Sequence, residues 1–230
     1  MYYACFVNMA TMQYQEPPPS MSDELKMKPD VLRIGDPAPD FEARTTHGPV
    51  KLSDYRGRWL IFFSHPADFT PVCTTEFVAL ARHEGDFKAL DCALLGLSVD
   101  SLYAHLAWVR AIETRFSISI GFPIVEDPSM AVGRAFGMID ENAVDSAAMR
   151  TSYFIDPDGI VRATTCYPHN VGRSVKEMLR MLAALQTADK ANVLLPEGWQ
   201  PGEDALEIPP LSAENISREE DWFCHSVKLS

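Results

Sequence analysis

Trp59-Leu60-Ile61-Phe62-Phe63 is a continuous apolar run, and the rest of the fold can be built outward from it. A strand with one solvated face alternates apolar and polar residues, whereas an unbroken run indicates a strand that is buried on both faces. A second such run follows at residues 93–99. The two runs therefore predict central strands of a layered α/β sheet.

Each of these strands is predicted to lead into a helix. Thr70 is a favourable N-cap residue and Pro71 suits the first helical position, so the first helix should begin near residue 71. Asp100 or Ser101 is expected to cap the second helix. Its predicted apolar stripe consists of Leu102, Leu106, Val109, Ile112 and Phe116.

Hairpins and a last helix complete the predicted fold. A short hairpin is expected near residues 41–52, and a second one joins residues 152–155 to 160–164 through the turn sequence Asp156-Pro157-Asp158-Gly159. A long helix should cover residues 172–187. Two parallel crossovers, an antiparallel hairpin and helices on both faces indicate a thioredoxin-like α/β sheet.

The chain divides into three predicted parts. Residues 1–33 form a flexible N-terminal arm, because three consecutive prolines interrupt it, and residues 34–188 form the thioredoxin-like domain. Residues 189–230 are rich in prolines and acids, which indicates an extended C-terminal arm or small second domain. We expect this arm to be unable to bury its large aromatic residues alone, namely Trp199, Trp222 and Phe223.

Composition excludes several classes of function. The 230 residues include 32 acidic and 20 basic ones, and the net charge of -12 at pH 7 repels phosphate backbones, so nucleic acid is not an expected partner. No apolar run is long enough to span a bilayer, and residues 1–10 lack the basic start of a secretory signal. We therefore expect a cytoplasmic protein that does not associate with membranes.

Five scattered cysteines, without a CxxC pair, favour neither a disulfide framework nor structural zinc. Cys73 differs from the others because it is the third residue of the helix predicted at residue 71. Unpaired backbone N–H groups and the helix dipole stabilise a thiolate there, and the thiolate is the nucleophilic form. From this placement alone, Cys73 is either a reactive thiol or a small buried apolar residue.

The spacing around Cys73 favours the reactive interpretation. Pro66, Thr70 and Cys73 fit the pattern Pro-x-x-x-Thr/Ser-x-x-Cys, by which the sequence resembles the peroxiredoxins. Residues 64–76, Ser-His-Pro-Ala-Asp-Phe-Thr-Pro-Val-Cys-Thr-Thr-Glu, are similar to the peroxiredoxin-6 (one-cysteine-type) subfamily, particularly its archaeal and bacterial members. The resemblance covers about residues 33–225. It implies a thiol-specific peroxidase, without metal or organic cofactor, that reduces hydrogen peroxide and organic hydroperoxides to water and alcohols.

The resemblance also implies roles for individual residues. Cys73 attacks the peroxide and becomes a sulfenic acid. Thr70 offers its hydroxyl to the thiolate and the peroxide, and Pro66 shields the sulfur from water. Arg150 matches the arginine that stabilises the thiolate and the developing charge. Considered without the resemblance, Arg150 would be a solvated charge at a strand edge.

For three further residues of the predicted site, the sequence leaves two interpretations open. His65 either lines the substrate pocket and tunes the thiolate, or is a structural histidine bonded to the backbone. Glu76 either orients an arginine or is a first-turn acid favoured by the helix dipole. Arg173 either matches a second arginine of the subfamily or lies on the surface.

Cys224 is the second sulfur to which the resemblance gives a role. The ending Trp222-Phe223-Cys224 is similar to that of archaeal-type members, in which this cysteine resolves the sulfenic acid as an interchain disulfide. Otherwise Cys224 is an exposed tail thiol. These relatives often carry another cysteine where this chain has Arg218. Of the other cysteines, Cys92 and Cys166 are expected to pack in the core or at its edge, and Cys5 to have no role.

Partners follow from the same resemblance. It implies peroxide substrates, a thioredoxin-like dithiol or glutathione as reductant, and a homodimer formed through the C-terminal arm, often within a decameric ring. One alternative is a strictly one-cysteine peroxidase recycled by glutathione, and another is a ring-forming holdase or redox relay. Thioredoxin-like disulfide exchange needs a second thiol near Cys73, where this chain has Glu76. Residues 54–59 lack the Gly-x-Ser-x-Gly of some mammalian members, so phospholipase activity is not expected.

Overall fold

The computed structural model describes residues 32–140, 143, 145–210, 212 and 222–229. The chain divides into the units Met1–Val31 and Leu32–Ser230, and every described residue lies in the second unit. Cys5, Arg218 and the predicted N-terminal arm up to Val31 lie outside the described residues.

A mixed sheet forms the centre of the fold. Its strands are β1 (Glu42–Thr45), β2 (Gly48–Lys51), β3 (Trp59–Ser64), β4 (Cys92–Ser98), β5 (Ile124–Glu126), β6 (Arg150–Ile155) and β7 (Val161–Tyr167). They lie in the order β2-β1-β5-β4-β3-β6-β7. The central strands β3, β4 and β5 are parallel, and both the β1–β2 and the β6–β7 hairpins are antiparallel. The predicted thioredoxin-like α/β fold is confirmed.

Helices pack on both faces of this sheet. They are α1 (Pro71–Arg82), α2 (Glu84–Ala89), α3 (Leu102–Phe116), α4 (Ala131–Ala135) and α5 (Val175–Ala191), with a 3-10 turn at Leu52–Tyr55. Side chains of α1, α3 and α5 pack on the sheet face formed by Trp59, Ile61 and Phe63, while residues of the 3-10 turn and α4 pack on the face formed by Leu60 and Phe62. Among the described residues, none of these helices is both long and apolar enough to cross a membrane.

The apolar run at β3 is buried as predicted. Ile61, Phe62 and Phe63 have no exposed surface, although their side chains point alternately to opposite faces. Burial of each such side chain contributes about 1.5–3 kcal/mol relative to leaving it in water. These side chains therefore hold β3, and the loop that follows it, firmly in the middle of the molecule.

Strand register brings two distant segments of the chain together. β3 and β6 are antiparallel and pair Phe63 with Ser152, so the first residue of β6, Arg150, lies near the carboxyl end of β3. The loop that leaves this end of β3 leads directly into α1. As a result, Arg150 and the first turn of α1 occupy the same edge of the sheet.

The apolar stripe predicted for α3 is wrong in part. Leu106 is 43% exposed and Phe116 is 39% exposed, whereas His105, Trp108 and Ile112 are buried. The buried face of α3 therefore differs from the predicted stripe and includes His105. The two ring nitrogens of His105 contact a carboxylate and a backbone carbonyl, which makes burial of this histidine inexpensive. Of the two proposed caps, Ser101 is the N-cap residue.

One of the three large aromatic residues of the C-terminal arm is buried. Trp199 is only 2% exposed, its indole Nε1 donates to the carbonyl of Glu203 at 3.2 Å, and its own carbonyl accepts from Arg180 Nη1 at 3.0 Å. Trp199 is therefore buried within one chain, with Arg180 of α5 among its partners, and the prediction that the arm cannot bury it alone is not contradicted. Phe223, by contrast, is 64% exposed. Nearby, β8 (Ala205–Leu206) pairs with β9 (Ser226–Val227).

Candidate active site

Cys73 lies in the first turn of α1, as the sequence predicts. Thr70 precedes the helix with an extended backbone and Pro71 is its first residue, so Cys73 is the third. The Thr70 carbonyl accepts from the backbone N–H of Thr74, while the Thr70 hydroxyl donates to the Ala67 carbonyl at 2.8 Å and caps no helix N–H. The Cys73 side chain is completely buried.

Arg150 directs a guanidinium N–H at the Cys73 sulfur. Its Nη1 lies 3.3 Å from Sγ of Cys73 and 2.8 Å from Oε2 of Glu76. On the opposite edge of the guanidinium, Nε and Nη2 both donate to the carbonyl of His169, at 3.1 and 2.8 Å. Its other two nitrogens are held by these hydrogen bonds, and the residue is only 2% exposed. The positively charged guanidinium of Arg150 therefore stays next to the Cys73 sulfur.

Glu76 lies one turn after Cys73 and joins two arginines. Its Oε1 accepts from the backbone N–H of Arg173 at 2.7 Å and from Nε of Arg173 at 3.0 Å, and its Oε2 accepts from Nη2 of Arg173 at 2.8 Å. Burial by itself raises the pKa of Glu76, but hydrogen bonds and charge from Arg173, together with the charge of Arg150, outweigh it and leave the pKa below its ordinary value. The carboxylate is therefore ionised in this network.

Arg173 is buried and does not lie on the surface. Besides Glu76, its Nη1 donates to the Thr151 carbonyl at 3.2 Å and to the Ser152 hydroxyl at 3.1 Å, and its guanidinium carbon lies 5.1 Å from the Phe63 ring centroid. The residue is 7% exposed. Arg173 thereby links α1 to β6 behind the cysteine.

His65 lies directly before Pro66 and its ring is fully enclosed. Nε2 is 2.8 Å from Oδ1 of Asp68, and the ring stacks on Trp108 with centroids 5.1 Å apart. Its partner is thus a side-chain carboxylate and not the backbone. Burial lowers the pKa of His65, an effect that Asp68 opposes only in part. Nδ1 is buried without a hydrogen-bond partner among the described residues.

Asp68 and His105 also belong to this site, and neither is among the site residues predicted from the sequence. Oδ2 of Asp68 is 2.7 Å from Nδ1 of His105, whose Nε2 is 3.2 Å from the Val125 carbonyl. Burial raises the pKa of Asp68, but hydrogen bonds from His105 and His65 outweigh it and the net pKa is lowered. A signal existed, because His105 lies three residues before Trp108 and seven before Ile112 on one helix face.

The one group of described residues with metal-ligand spacing is His65, Asp68 and Asp100, whose ligand atoms lie within 4.8 Å of one another. Both oxygens of Asp68 already contact histidine nitrogens, and Oδ2 of Asp100 accepts from Ser98 and from the backbone of Asp68. Because protein contacts occupy these atoms, the group fits a hydrogen-bonded network better than a metal centre.

The other described cysteines differ sharply from Cys73. Cys92 opens β4, where burial raises the pKa of its thiol to about 12. Cys166 is exposed on β7, where it pairs with Thr151. Cys224 is an exposed free thiol, and the structure does not join it to the buried Cys73. Among the described cysteines, Cys73 is thus the one whose sulfur accepts a hydrogen bond from an arginine.

Comparison with known proteins points to one family for nearly the whole described chain. Residues 34–164 match the AhpC/TSA family, and residues 184–220 match the C-terminal domain of 1-Cys peroxiredoxin. The chain is 43% identical over 201 residues to peroxiredoxin 2 of Thermoplasma acidophilum, covering 85% of this chain and 100% of that protein. It is 49% identical over 177 residues to a peroxiredoxin of Aquifex aeolicus, covering 76% and 80% of the two chains.

Solved structures with the same fold include a 1-Cys peroxiredoxin and a peroxiredoxin 6. The yeast mitochondrial 1-Cys peroxiredoxin matches with a TM-score of 0.75 and 38% identity, over 80% of this chain and 90% of that one. A cysteine-to-serine mutant of peroxiredoxin 6 from Arenicola marina matches with a TM-score of 0.73 and 33% identity, over 80% and 86% of the two chains.

Proposed function

The chain belongs to the peroxiredoxin family and is a peroxidase, and from this premise we propose that Cys73 is its reacting thiolate and that Cys224 of a partner subunit resolves it. The observation that carries the proposal is the 3.3 Å contact between Nη1 of Arg150 and Sγ of Cys73. A buried guanidinium at this distance favours the thiolate over the neutral thiol.

The first chemical step is a displacement at oxygen. The Cys73 thiolate attacks one peroxide oxygen, the O–O bond breaks, and the sulfur is oxidised to a sulfenic acid while the leaving oxygen takes up a proton as water or alcohol. Negative charge moves from sulfur to the leaving oxygen, within reach of the Arg150 guanidinium. Thr70 contributes a hydroxyl donor once it turns from the Ala67 carbonyl, and Pro66 limits access of water to the sulfur.

The second step replaces the sulfenic hydroxyl with a disulfide. A thiolate of Cys224 attacks the Cys73 sulfur, the S–O bond breaks, and the hydroxide leaves as water with the proton that the Cys224 thiol released. An external dithiol then reduces the disulfide. Disulfide geometry requires Cα atoms about 4.4–6.8 Å apart. Since Cys73 is fully buried and Cys224 is exposed, the first turn of α1 has to open before the two sulfurs can meet.

The reductant that we propose is a thioredoxin-like dithiol. The yeast mitochondrial relative is described as resolved through glutathione and thioredoxin systems. An interchain disulfide between Cys73 and Cys224 would be a substrate for thioredoxin, whereas a sulfenic acid without a resolving thiol would depend on glutathione. Peroxide consumption should therefore be followed with each reductant in turn. Turnover with thioredoxin that is lost in Cys224→Ser supports the two-cysteine route, and turnover with glutathione alone supports the one-cysteine alternative.

The proposed assembly is a homodimer through residues 189–230, and a decameric ring of such dimers. Exposed apolar side chains in this arm support it, since Phe223, Ile208 and Leu194 are 64%, 48% and 47% exposed. Apolar surface of this kind is buried efficiently at a two-fold interface. Light scattering at micromolar concentration measures the mass directly. A monomer would contradict the proposed dimer, and a dimer without larger species would contradict the ring.

A further inference from the structure

The loop between β7 and α5 is tied to the active site at two points. At the first of these points, the carbonyl of His169 in the loop accepts hydrogen bonds from both Nε and Nη2 of Arg150, at 3.1 and 2.8 Å. At the second, the backbone N–H and side chain of Arg173 bind Glu76. Between these ties, the Val171 N–H donates to the Pro168 carbonyl at 3.2 Å and closes a turn. We call residues 168–173 the clamp.

We propose that the clamp is a positioning element for peroxide reduction, in which the His169 carbonyl aims Arg150 at Cys73 and Gly172 allows the clamp to close on the first turn of α1. The inference rests on the proposed role of Cys73 and extends it to residues that touch neither the sulfur nor the peroxide.

The hydrogen bonds of Arg150 explain how its guanidinium is oriented toward Cys73. A guanidinium can rotate about its side-chain bonds unless both edges are held. Here the His169 carbonyl holds the edge formed by Nε and Nη2, and this leaves Nη1 to contact Cys73 and Glu76. A displacement of the carbonyl would turn the whole planar group. Contact with the sulfur therefore depends on where the clamp lies.

Gly172 decides how closely the clamp approaches α1. A Cβ atom at this position would lie 3.3 Å from Cγ1 of Val72 and 3.8 Å from Cγ of Glu76. The first distance is tighter than ordinary van der Waals contact, so a Cβ at this position requires the clamp or the half-buried Val72 side chain to shift by a few tenths of an ångström. The backbone of Gly172 needs no left-handed conformation, since its φ lies outside the positive range. Close approach is thus the reason that this position suits glycine.

Gly172→Ala tests the clamp, with Val72→Ala as the rescuing change. Displacement of the catalytic arginine by a few tenths of an ångström should slow the single-turnover peroxide step about three- to tenfold, because misplacement by 1 Å costs about 100-fold. The pH profile of this step should also move to higher pH, since a misdirected Arg150 stabilises the thiolate less. Val72→Ala removes Cγ1, so Val72→Ala/Gly172→Ala should recover to within about twofold of Val72→Ala alone.

Gly85→Ala is the matched control, because a Cβ at Gly85 in α2 would meet no atom within 4 Å. This variant should keep the wild-type rate and pH profile. The proposal is overturned if Gly172→Ala also keeps them, or if the double variant shows the product of the two single losses. Failure of the proposed function looks different, because wild-type protein would then consume no peroxide, or would consume it without Cys73.

Discussion

Arg173 holds the carboxylate of Glu76 through two parallel side-chain hydrogen bonds, from Nε to Oε1 at 3.0 Å and from Nη2 to Oε2 at 2.8 Å. Oε2 also accepts from Arg150, which contacts the Cys73 sulfur. Two buried guanidinium groups and one carboxylate leave a net positive charge beside the cysteine. A thiolate at Cys73 completes the charge pairing, and a neutral thiol does not.

Glu76→Gln should therefore destabilise the protein strongly. The substitution leaves two buried arginines without their carboxylate, and removal of one partner from a buried ion pair costs about 3–5 kcal/mol. The free energy of unfolding, measured by urea denaturation near neutral pH, gives the loss.

Glu177→Gln is the comparison variant for this measurement. Glu177 also pairs with an arginine, Arg180, but its side chain is 42% exposed, so the loss should be at most about 1 kcal/mol. An equal loss of unfolding free energy in the two variants would show that burial does not make the Glu76 network more stabilising than an exposed ion pair.

Acid should weaken the folded state through His65. Because burial holds the folded-state pKa of His65 below the ordinary 6.5, the unfolded chain takes up the proton first. The stabilisation by neutral His65 is complete above about pH 6.5 and is lost as the pH falls toward the lowered value, by up to about 1.4 kcal/mol per pH unit for one proton. His65→Gln should flatten this part of the stability curve, measured by denaturation at several pH values. An unchanged slope would show that another group causes the acid sensitivity.

Cys224 should form a disulfide with Cys73 across two subunits. After one equivalent of peroxide, wild-type protein should run as a covalent dimer on a non-reducing gel, and Cys224→Ser as a monomer. Cys166→Ser, which removes another exposed thiol, should still form the dimer. Wild-type protein that stays monomeric on the gel while it turns over with glutathione would make Cys224 a bystander.

Much of the fold could be predicted from local sequence. The apolar run at β3, the Thr70-Pro71 start of α1 and the turn after β6 are all short-range signals, and the structure confirms them. Helical spacing places His105 on the same face as Trp108 and Ile112, but the hydrogen bonds that make its burial inexpensive, and the burial of Trp199, could not be predicted in the same way. Each depends on hydrogen-bond partners distant in sequence or on the arm folding back, which a periodicity argument does not contain.

The candidate site likewise contains residues that local sequence predicts and residues that it does not. Cys73, Thr70 and Glu76 lie together because they share one helix start, which the sequence displays directly. Roles for Arg150 and Arg173 follow only from the family resemblance, since an isolated arginine near a strand or turn is normally exposed. The His169 carbonyl had no sequence signal at all, because every residue carries a carbonyl and only the register of β6 and β7 brings this one to Arg150.

Consumption of peroxide by Cys73→Ser tests the central claim most directly. The serine hydroxyl is not ionised at neutral pH, so it supplies no nucleophile to replace the thiolate. With a saturating thiol reductant, Cys73→Ser should consume no peroxide above the uncatalysed rate, whereas Cys166→Ser, which removes an exposed thiol, should match wild type. Near wild-type consumption by Cys73→Ser would contradict the assignment of Cys73 as the thiol that attacks the peroxide.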